Sequence, residues 1–293
     1  MNKKNIFYPG DEWIYIKIYC GIHISDKIIS TIIAPLAIQM IKDQLITKWF
    51  FIRYRDTENH LRLRFLCSDI SFFLQIIKNI NSALTPLQDE KLIWKTEIST
   101  YSRETSRYLP NQYSTTEDLF CADSQAVSSA IATILFMKNE NLRWEFALMG
   151  IDKMLDNFGY SILHKHQIMK KLADGYSVEF RKDKMLRTQL ATNARKYRKD
   201  VAVILQHQTV SSSHKRFSSI LKKRSIPIVK NAGELLTTDN DKKNYDLITS
   251  YLHMFCNRLF RTQQRIHELV LYDLLNKYYQ SSIQKSVNTP KIV

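Results

Sequence analysis

A histidine and two arginines occupy alternate positions in His60-Leu61-Arg62-Leu63-Arg64-Phe65. A β-strand repeats every two residues, so His60, Arg62 and Arg64 leave one face while Leu61, Leu63 and Phe65 leave the other, toward a core. Neighbouring guanidiniums repel unless an anion lies between them, and the guanidinium fork fits a carboxylate or phosphate bidentately. Arg53, in the apolar run just before, comes close if the two segments pair. The pattern reads as a carboxylate or phosphate site, or as a solvated strand face whose acidic partners come from elsewhere.

Two further clusters could carry chemistry. In Tyr101-Ser102-Arg103-Glu104-Thr105-Ser106-Arg107-Tyr108, two arginines flank an acid. On a helix Arg103 and Arg107 would share a face, as part of an anion site or as an ordinary ion-paired surface. In His253-Met254-Phe255-Cys256-Asn257-Arg258, a helix would put His253 and Asn257 on one face with Arg258 beside them. A histidine there can shuttle a proton or serve packing alone. The chain contains no glycine-rich phosphate loop, Gly-x-Ser-x-Gly, His-Glu-x-x-His or dinucleotide-binding fingerprint. Its four cysteines, Cys20, Cys67, Cys121 and Cys256, show no zinc-type spacing and read as reduced, buried thiols; no metal site is expected.

The elements that must position these residues follow from periodicity. Residues 13–19 alternate β-branched and aromatic residues and predict a strand. Residues 25–47 predict an amphipathic helix with Pro35 as a kink, and 48–55 and 60–67 a hairpin around the polar loop 56–59. A helix over 69–84 and a strand over 91–101 follow. Helical patterns then cover 116–138, 142–158, 160–173 and 185–208, and 243–279 as one helix or two. Residues 209–243 read as a mobile connection or short helices, and the tail over 281–293 as frayed. The fold class is α+β: a mixed or antiparallel sheet in the N-terminal third, then a mainly helical part. With no clear boundary and no internal repeat, 1–293 reads as a single domain.

Composition narrows the class further. Six Gly and six Pro among 293 residues favour long helices over a many-stranded sandwich. No run of 18 apolar residues predicts a spanning helix, and Asp11 and Glu12 interrupt any signal-type run, so the expectation is a cytoplasmic protein, with membrane association as an alternative. The net charge of +15 suits an anionic partner (tRNA, acidic peptide or anionic lipid) or a solvated basic surface.

Taken together, these segments resemble one family. Trp49-Phe50-Phe51-Ile52-Arg53-Tyr54-Arg55-Asp56 followed by His60-Leu61-Arg62-Leu63-Arg64-Phe65 resembles its hairpin signature, and Trp13 to Tyr19 its opening strand. Tyr101-Ser102-Arg103-Glu104 with Arg107-Tyr108, and His253-Met254-Phe255-Cys256-Asn257-Arg258, resemble its later motifs in the right order. The family is the C-terminal glutamate-elimination domain of class I lanthipeptide dehydratases, also found as a separate thiopeptide-type bacteriocin biosynthesis protein. One departure is Leu109-Pro110-Asn111, where the family usually has Gly-Gly.

The resemblance implies a lyase that removes glutamate from glutamylated Ser/Thr of a ribosomal precursor peptide, leaving dehydroalanine or dehydrobutyrine. It implies a separate glutamylation subunit that draws on glutamyl-tRNA, no cofactor, and no bar to a homo-oligomer. It assigns Arg62, Arg64, Arg103 and His253 to catalysis, with Arg53, His60, Arg107 and Arg258 about the substrate. The chemistry is consistent: carboxylates and a developing enolate call for arginines, and proton transfer suits histidine. Two alternatives stand beside it: a pyridine synthase joining two dehydroalanines, and a non-catalytic scaffold that carries precursor peptide.

Overall fold

The structure, a computed structural model, describes residues 4–109, 112–181, 183–206, 211–237 and 240–288. The β-branched and aromatic run Trp13–Cys20 forms β2, after a two-residue strand β1, Ile6–Phe7. β3 is Ile46–Arg55, β4 Asn59–Cys67, β5 Ile93–Ser99 and β6 Tyr101–Ser102. Every described pairing is antiparallel: a four-stranded sheet in the order β3-β4-β2-β5, and a small β1-β6 ribbon.

The expected hairpin forms, with Arg55 opposite Asn59, so its loop is three residues long rather than four. Asp56 shapes that loop by accepting from the Glu58 N–H at 3.3 Å. Register then decides the chemistry of each face. Arg64 lies between Phe50 and Tyr15, Arg62 between Ile52 and Lys17, and His60 between Tyr54 and Tyr19. The opposite face carries Leu61, Leu63, Phe65, Trp49 and Phe51, all buried.

The predicted helix after β2 is interrupted. α1, Ile24–Lys27, runs into a π-helical stretch, Ile28–Ile33, and then α2, Ala34–Lys42. Pro35 has no N–H to give to the carbonyl four residues back, and the wider turn ahead of it accommodates that loss. α3, Phe73–Asp89, starts later than the periodicity suggests because Asp69 caps a short 3₁₀ turn first, accepting from the Ser71 N–H at 2.8 Å. Residues 103–108 form turns, not the helix that would align Arg103 with Arg107.

The helical remainder comprises α4, Tyr113–Met137; α5, Asn141–Asn157; α6, Ile162–Glu179; and α7, Lys184–Leu205. It continues with α8, Ser212–Lys230; α9, Ala232–Leu235; α10, Asp241–Leu259; and α11, Gln264–Asn288. Much of 209–243, expected to be loose, is thus the 19-residue α8; residues 207–210 and 238–239 lie outside the described residues. The expected frayed tail is helical as far as Asn288, and 289–293 also lie outside the described residues, as do Pro110 and Asn111.

The chain forms two compact units, Met1–Lys138 with Ile226–Thr262, and Asn139–Ser225 with Gln263–Val293. The first holds both sheets, α4 and α10. The charge divides unequally: the second holds 22 of the 43 Lys and Arg but 10 of the 28 acids, hence +12 of the net +15. Two helices, Ile24–Lys42 and Tyr113–Met137, are long and apolar enough to cross a membrane by length and composition, and 50% and 67% of those windows are buried within the fold. All four cysteines are free thiols, and burial pushes Cys20 up to about 12 and Cys67 to about 11.

Candidate functional site

The face of β4 that carries His60, Arg62 and Arg64 is the centre of the candidate site, and all of it belongs to the first unit. His60 is 3% exposed and sits against the Tyr19 ring at 4.7 Å. Its Nδ1 donates to the Glu58 carbonyl at 3.1 Å, which leaves Nε2 to accept from Arg62 Nε–H at 3.1 Å. Burial pushes the His60 pKa below the usual imidazole value, and the Arg62 charge adds to this against the pull of the Glu58 carbonyl. A neutral His60 therefore aims Arg62, whose guanidinium also lies 3.3 Å from the centre of the Tyr54 ring.

Arg64 is different in kind. It is 8% exposed, and its guanidinium carbon lies 4.6 Å from the Tyr15 ring centre, 4.9 Å from Tyr101 and 5.2 Å from Phe50. Its Nε is buried and has no hydrogen-bond partner among the described residues, nor does any described carboxylate pair with it. Ring faces offset part of the cost of desolvating a guanidinium, but they supply no acceptor atom. A small cavity of about 30 Å³ opens beside it, lined among others by Ser102, Glu104, Tyr108, Tyr113 and Met254. A buried cation beside a hole is arranged to receive an anion, and the hole has room for a carboxylate-sized group.

The other predicted arginines have partners already. Arg103 holds Glu117 with both Nε and Nη2 at 2.7 Å and donates to the Lys4 carbonyl at 2.9 Å. Glu117 is fully buried and also takes the Tyr101 hydroxyl at 2.9 Å. Burial alone would lower the Arg103 pKa; the bonds and charge of Glu117 outweigh it and raise the value. Arg103 thus fixes the wall of the cavity, while its neighbours Ser102 and Glu104 line it. Arg107 is exposed and lies 3.6 Å from Glu104.

Arg53 projects from the opposite face of the sheet, since it pairs with Leu61. There it meets Asp26 at 2.5 Å, Ser25 Oγ at 2.6 Å and the Arg258 carbonyl at 2.8 Å. Arg258 is completely buried; it donates to the Met254 carbonyl at 2.9 Å and to Ser124 Oγ at 3.2 Å, with Asp123 at 3.8 Å. Burial pulls its pKa down to about 10, against the attraction of Asp123.

Between these sits α10. Asn257 accepts from the Arg53 backbone N–H at 3.0 Å and donates to the Arg53 carbonyl at 2.9 Å, clamping the free edge of β3. His253, half-buried one turn earlier on the same helix face, precedes Met254, a lining residue of the cavity. The structure therefore joins His60 to Arg62 and sets Arg64 against the cavity; of the eight predicted residues Arg64 alone is in the lining, and His60, Arg62, His253, Arg53, Arg103, Arg107 and Arg258 are outside it. Pattern reading quoted Tyr101, Glu104 and Tyr108 within the second cluster without giving them a site role, and did not single out Tyr113 or Glu117; the signal there was only a density of tyrosine around a cationic segment. Among the described residues no group of three or more His, Cys, Asp or Glu is placed to hold a metal ion.

A profile described as "Lantibiotic biosynthesis dehydratase C-term" matches residues 13–279. The subtilin biosynthesis protein SpaB of Bacillus subtilis is 27% identical over 289 residues, covering 94% of this chain and 26% of that protein. The chain thus spans about a quarter of the length of that relative. Among solved structures, the tRNA dependent lantibiotic dehydratase MibB from Microbispora sp. 107891 superposes with a TM-score of 0.72 at 20% identity, over 94% of this chain and 29% of MibB. The pyridine synthase TbtD, from thiomuracin biosynthesis, superposes at 0.62 and 12% identity, over 92% of this chain and all of TbtD. At these identities the two structures establish a shared fold.

Proposed function

This chain belongs to the family of lantibiotic biosynthesis dehydratase C-terminal domains, and from that premise we propose that it performs the elimination half of a peptide dehydration. Its substrate is a ribosomal precursor peptide whose Ser or Thr hydroxyls carry glutamate as an ester. A base removes the Cα proton, the Cβ–O bond breaks, and glutamate leaves as a carboxylate; the peptide keeps a carbon–carbon double bond. A separate glutamylation subunit, drawing on glutamyl-tRNA, supplies the ester.

The observation that carries this reading is Arg64, a buried guanidinium packed on three aromatic rings with no acid paired to it among the described residues, beside a small cavity whose lining includes Glu104. A glutamyl ester brings a carboxylate in its ground state and creates another on departure. In this proposal Arg64 anchors the first. Arg62, aimed by His60, faces charge that develops as the Cβ–O bond breaks. His253 handles the proton. Arg103 acts through Glu117 and Tyr101 as a positioning residue.

The test supplies purified protein with a peptide already glutamylated on Ser or Thr and follows it by mass spectrometry. Conversion to the dehydro residue with release of free glutamate is expected. Hydrolysis back to Ser or Thr, or no reaction, would overturn the proposal. Ring formation from a peptide containing two dehydroalanines, with the glutamylated peptide untouched, would move the pyridine synthase reading ahead.

A further inference from the structure

The second compact unit carries most of the net charge, and its own acids do little to balance it. Seven of its ten acids pair with Arg143, Lys165, Lys170, Arg265 or Lys277. Asp183 caps α7, and Glu145 faces His214. Residues 184–225 therefore hold eleven Lys and Arg against one acid, Asp200. Ten of the eleven are exposed, and none of those ten forms an ion pair among the described residues.

Part of this charge meets in a groove. A cavity of about 420 Å³ lies between α7 and α11, within the second unit. Arg195, Arg198, Lys277 and Lys285 line it, and no acid does. Lys277 is held by Asp273 at 2.6 Å, whereas Arg195 and Arg198 meet no acid among the described residues. Ser281 Oγ accepts from Arg198 at 3.3 Å across the groove. Ala191, Ala194 and Ala202 lie between the cations and leave room for a chain to settle. Lys184, Arg187, Arg195 and Arg198 return to one side of α7, over about 21 Å at about 1.5 Å per residue.

We propose that this groove binds the phosphate backbone of a folded RNA, with Arg195 and Arg198 as its principal contacts. A guanidinium fork fits a phosphate bidentately, and repeated phosphates match cations repeated along a helix. Counter-ions released from the RNA drive the association. Two other anionic partners fit less well. A lipid surface calls for aliphatic or aromatic side chains among the cations, and an acidic helix calls for apolar anchors. Among the described residues of 184–225, Met185 is the one large hydrophobic side chain that stands exposed. Elimination consumes no RNA, and neither arginine belongs to the candidate site in the first unit, so this surface is a separate property. Its use, keeping the chain near the aminoacylated RNA that a glutamylation partner consumes, rests on the elimination reading; the binding itself does not.

The experiment uses the full chain with deacylated transfer RNA and with a short RNA duplex, followed by fluorescence anisotropy over a range of salt. Wild type should bind both, with affinity falling steeply as salt rises. Arg195→Glu with Arg198→Glu should lower the salt slope by about two, one for each phosphate contact, and weaken binding roughly tenfold or more. Lys215→Glu with Arg216→Glu makes the same charge change on α8, outside the groove, and should stay within about threefold of wild type at physiological salt, where screening acts beyond about 8 Å. All four positions are exposed, so urea midpoints should match wild type; if the glutamate pair fails to fold, Arg195→Gln with Arg198→Gln carries the same test. Wild type that ignores RNA at physiological salt overturns the proposal, as does unchanged binding in the Arg195 and Arg198 pair or an equal loss in both pairs. Equally tight binding of polyglutamate or of phosphatidylglycerol vesicles through the same two arginines overturns the RNA assignment in favour of a peptide or a membrane. Elimination from glutamylated peptide should be unaltered by either pair. If wild type binds RNA as described but eliminates nothing, the elimination reading fails and the RNA surface stands; the converse result removes the surface and leaves the reading.

Discussion

Replacing Arg64 with methionine should separate function from stability. The wild-type guanidinium is withdrawn from water without a counter-ion, a penalty of several kcal/mol. Three ring faces within 5.2 Å return about 1 kcal/mol each, or about 3 kcal/mol together. Methionine matches the stem, keeps contact with Tyr15, Phe50 and Tyr101, and carries no charge to desolvate. The expected stability of Arg64→Met is therefore within about 1 kcal/mol of wild type or above it, by analogy with apolar replacement of buried ion pairs. Elimination should fall by roughly 10²–10³, the usual loss when a preorganised donor is removed. Urea denaturation gives the first quantity; the rate of glutamate release from glutamylated peptide gives the second. A variant destabilised by more than about 3 kcal/mol would show that Arg64 serves the fold through a partner, and a folded variant with full elimination would remove Arg64 from the site.

Arg103→Met should behave in the opposite way, costing about 3–5 kcal/mol because it strands the buried Glu117, and adding Glu117→Gln should recover much of that loss in the same urea assay. His253→Ala should stay folded and, mixed with glutamylation partner, glutamyl-tRNA and precursor, accumulate glutamyl adducts seen by mass spectrometry; full water loss would make His253 structural. His60 gives a pH signature. Its folded pKa lies below the unfolded value of about 6.5, so its stabilising contribution is present above that pH and fades as pH falls through it toward the folded value. Urea midpoints at pH 7.5 and 5.5 should therefore differ more for wild type than for His60→Gln, whose amide oxygen can still accept from Arg62.

Much of the fold was legible because a period of two fixes faces once a strand is recognised. The hairpin, the antiparallel sheet and the helical remainder all follow from patterns such as His60 to Phe65. Boundaries were less legible where one side chain overrides periodicity: Asp69 capping a 3₁₀ turn delays α3, and Pro35 is preceded by a π-helical stretch. The segment 103–108 misled most. Arginines four apart suggest a helix, but the Arg103 backbone N–H goes to the Asn5 carbonyl and its side chain to Glu117, so the local chain is held in turns.

The arginines show why the site was only half legible. Spacing along β4 placed Arg62 and Arg64 correctly, since alternation is a local property. Whether an arginine is available to a ligand is not local. It depends on which acid arrives from another element: Asp26 from α1 for Arg53, Glu117 from α4 for Arg103, and Asp123, also from α4, for Arg258. Each acid is fully buried, or within 1% of it. A buried acid with its own arginine is a closed pair that braces the fold. Arg64 has rings in place of an acid, and so keeps an unmet demand for negative charge. In the proposed reading, Arg64 is the arginine left for a ligand because no described acid pairs with it.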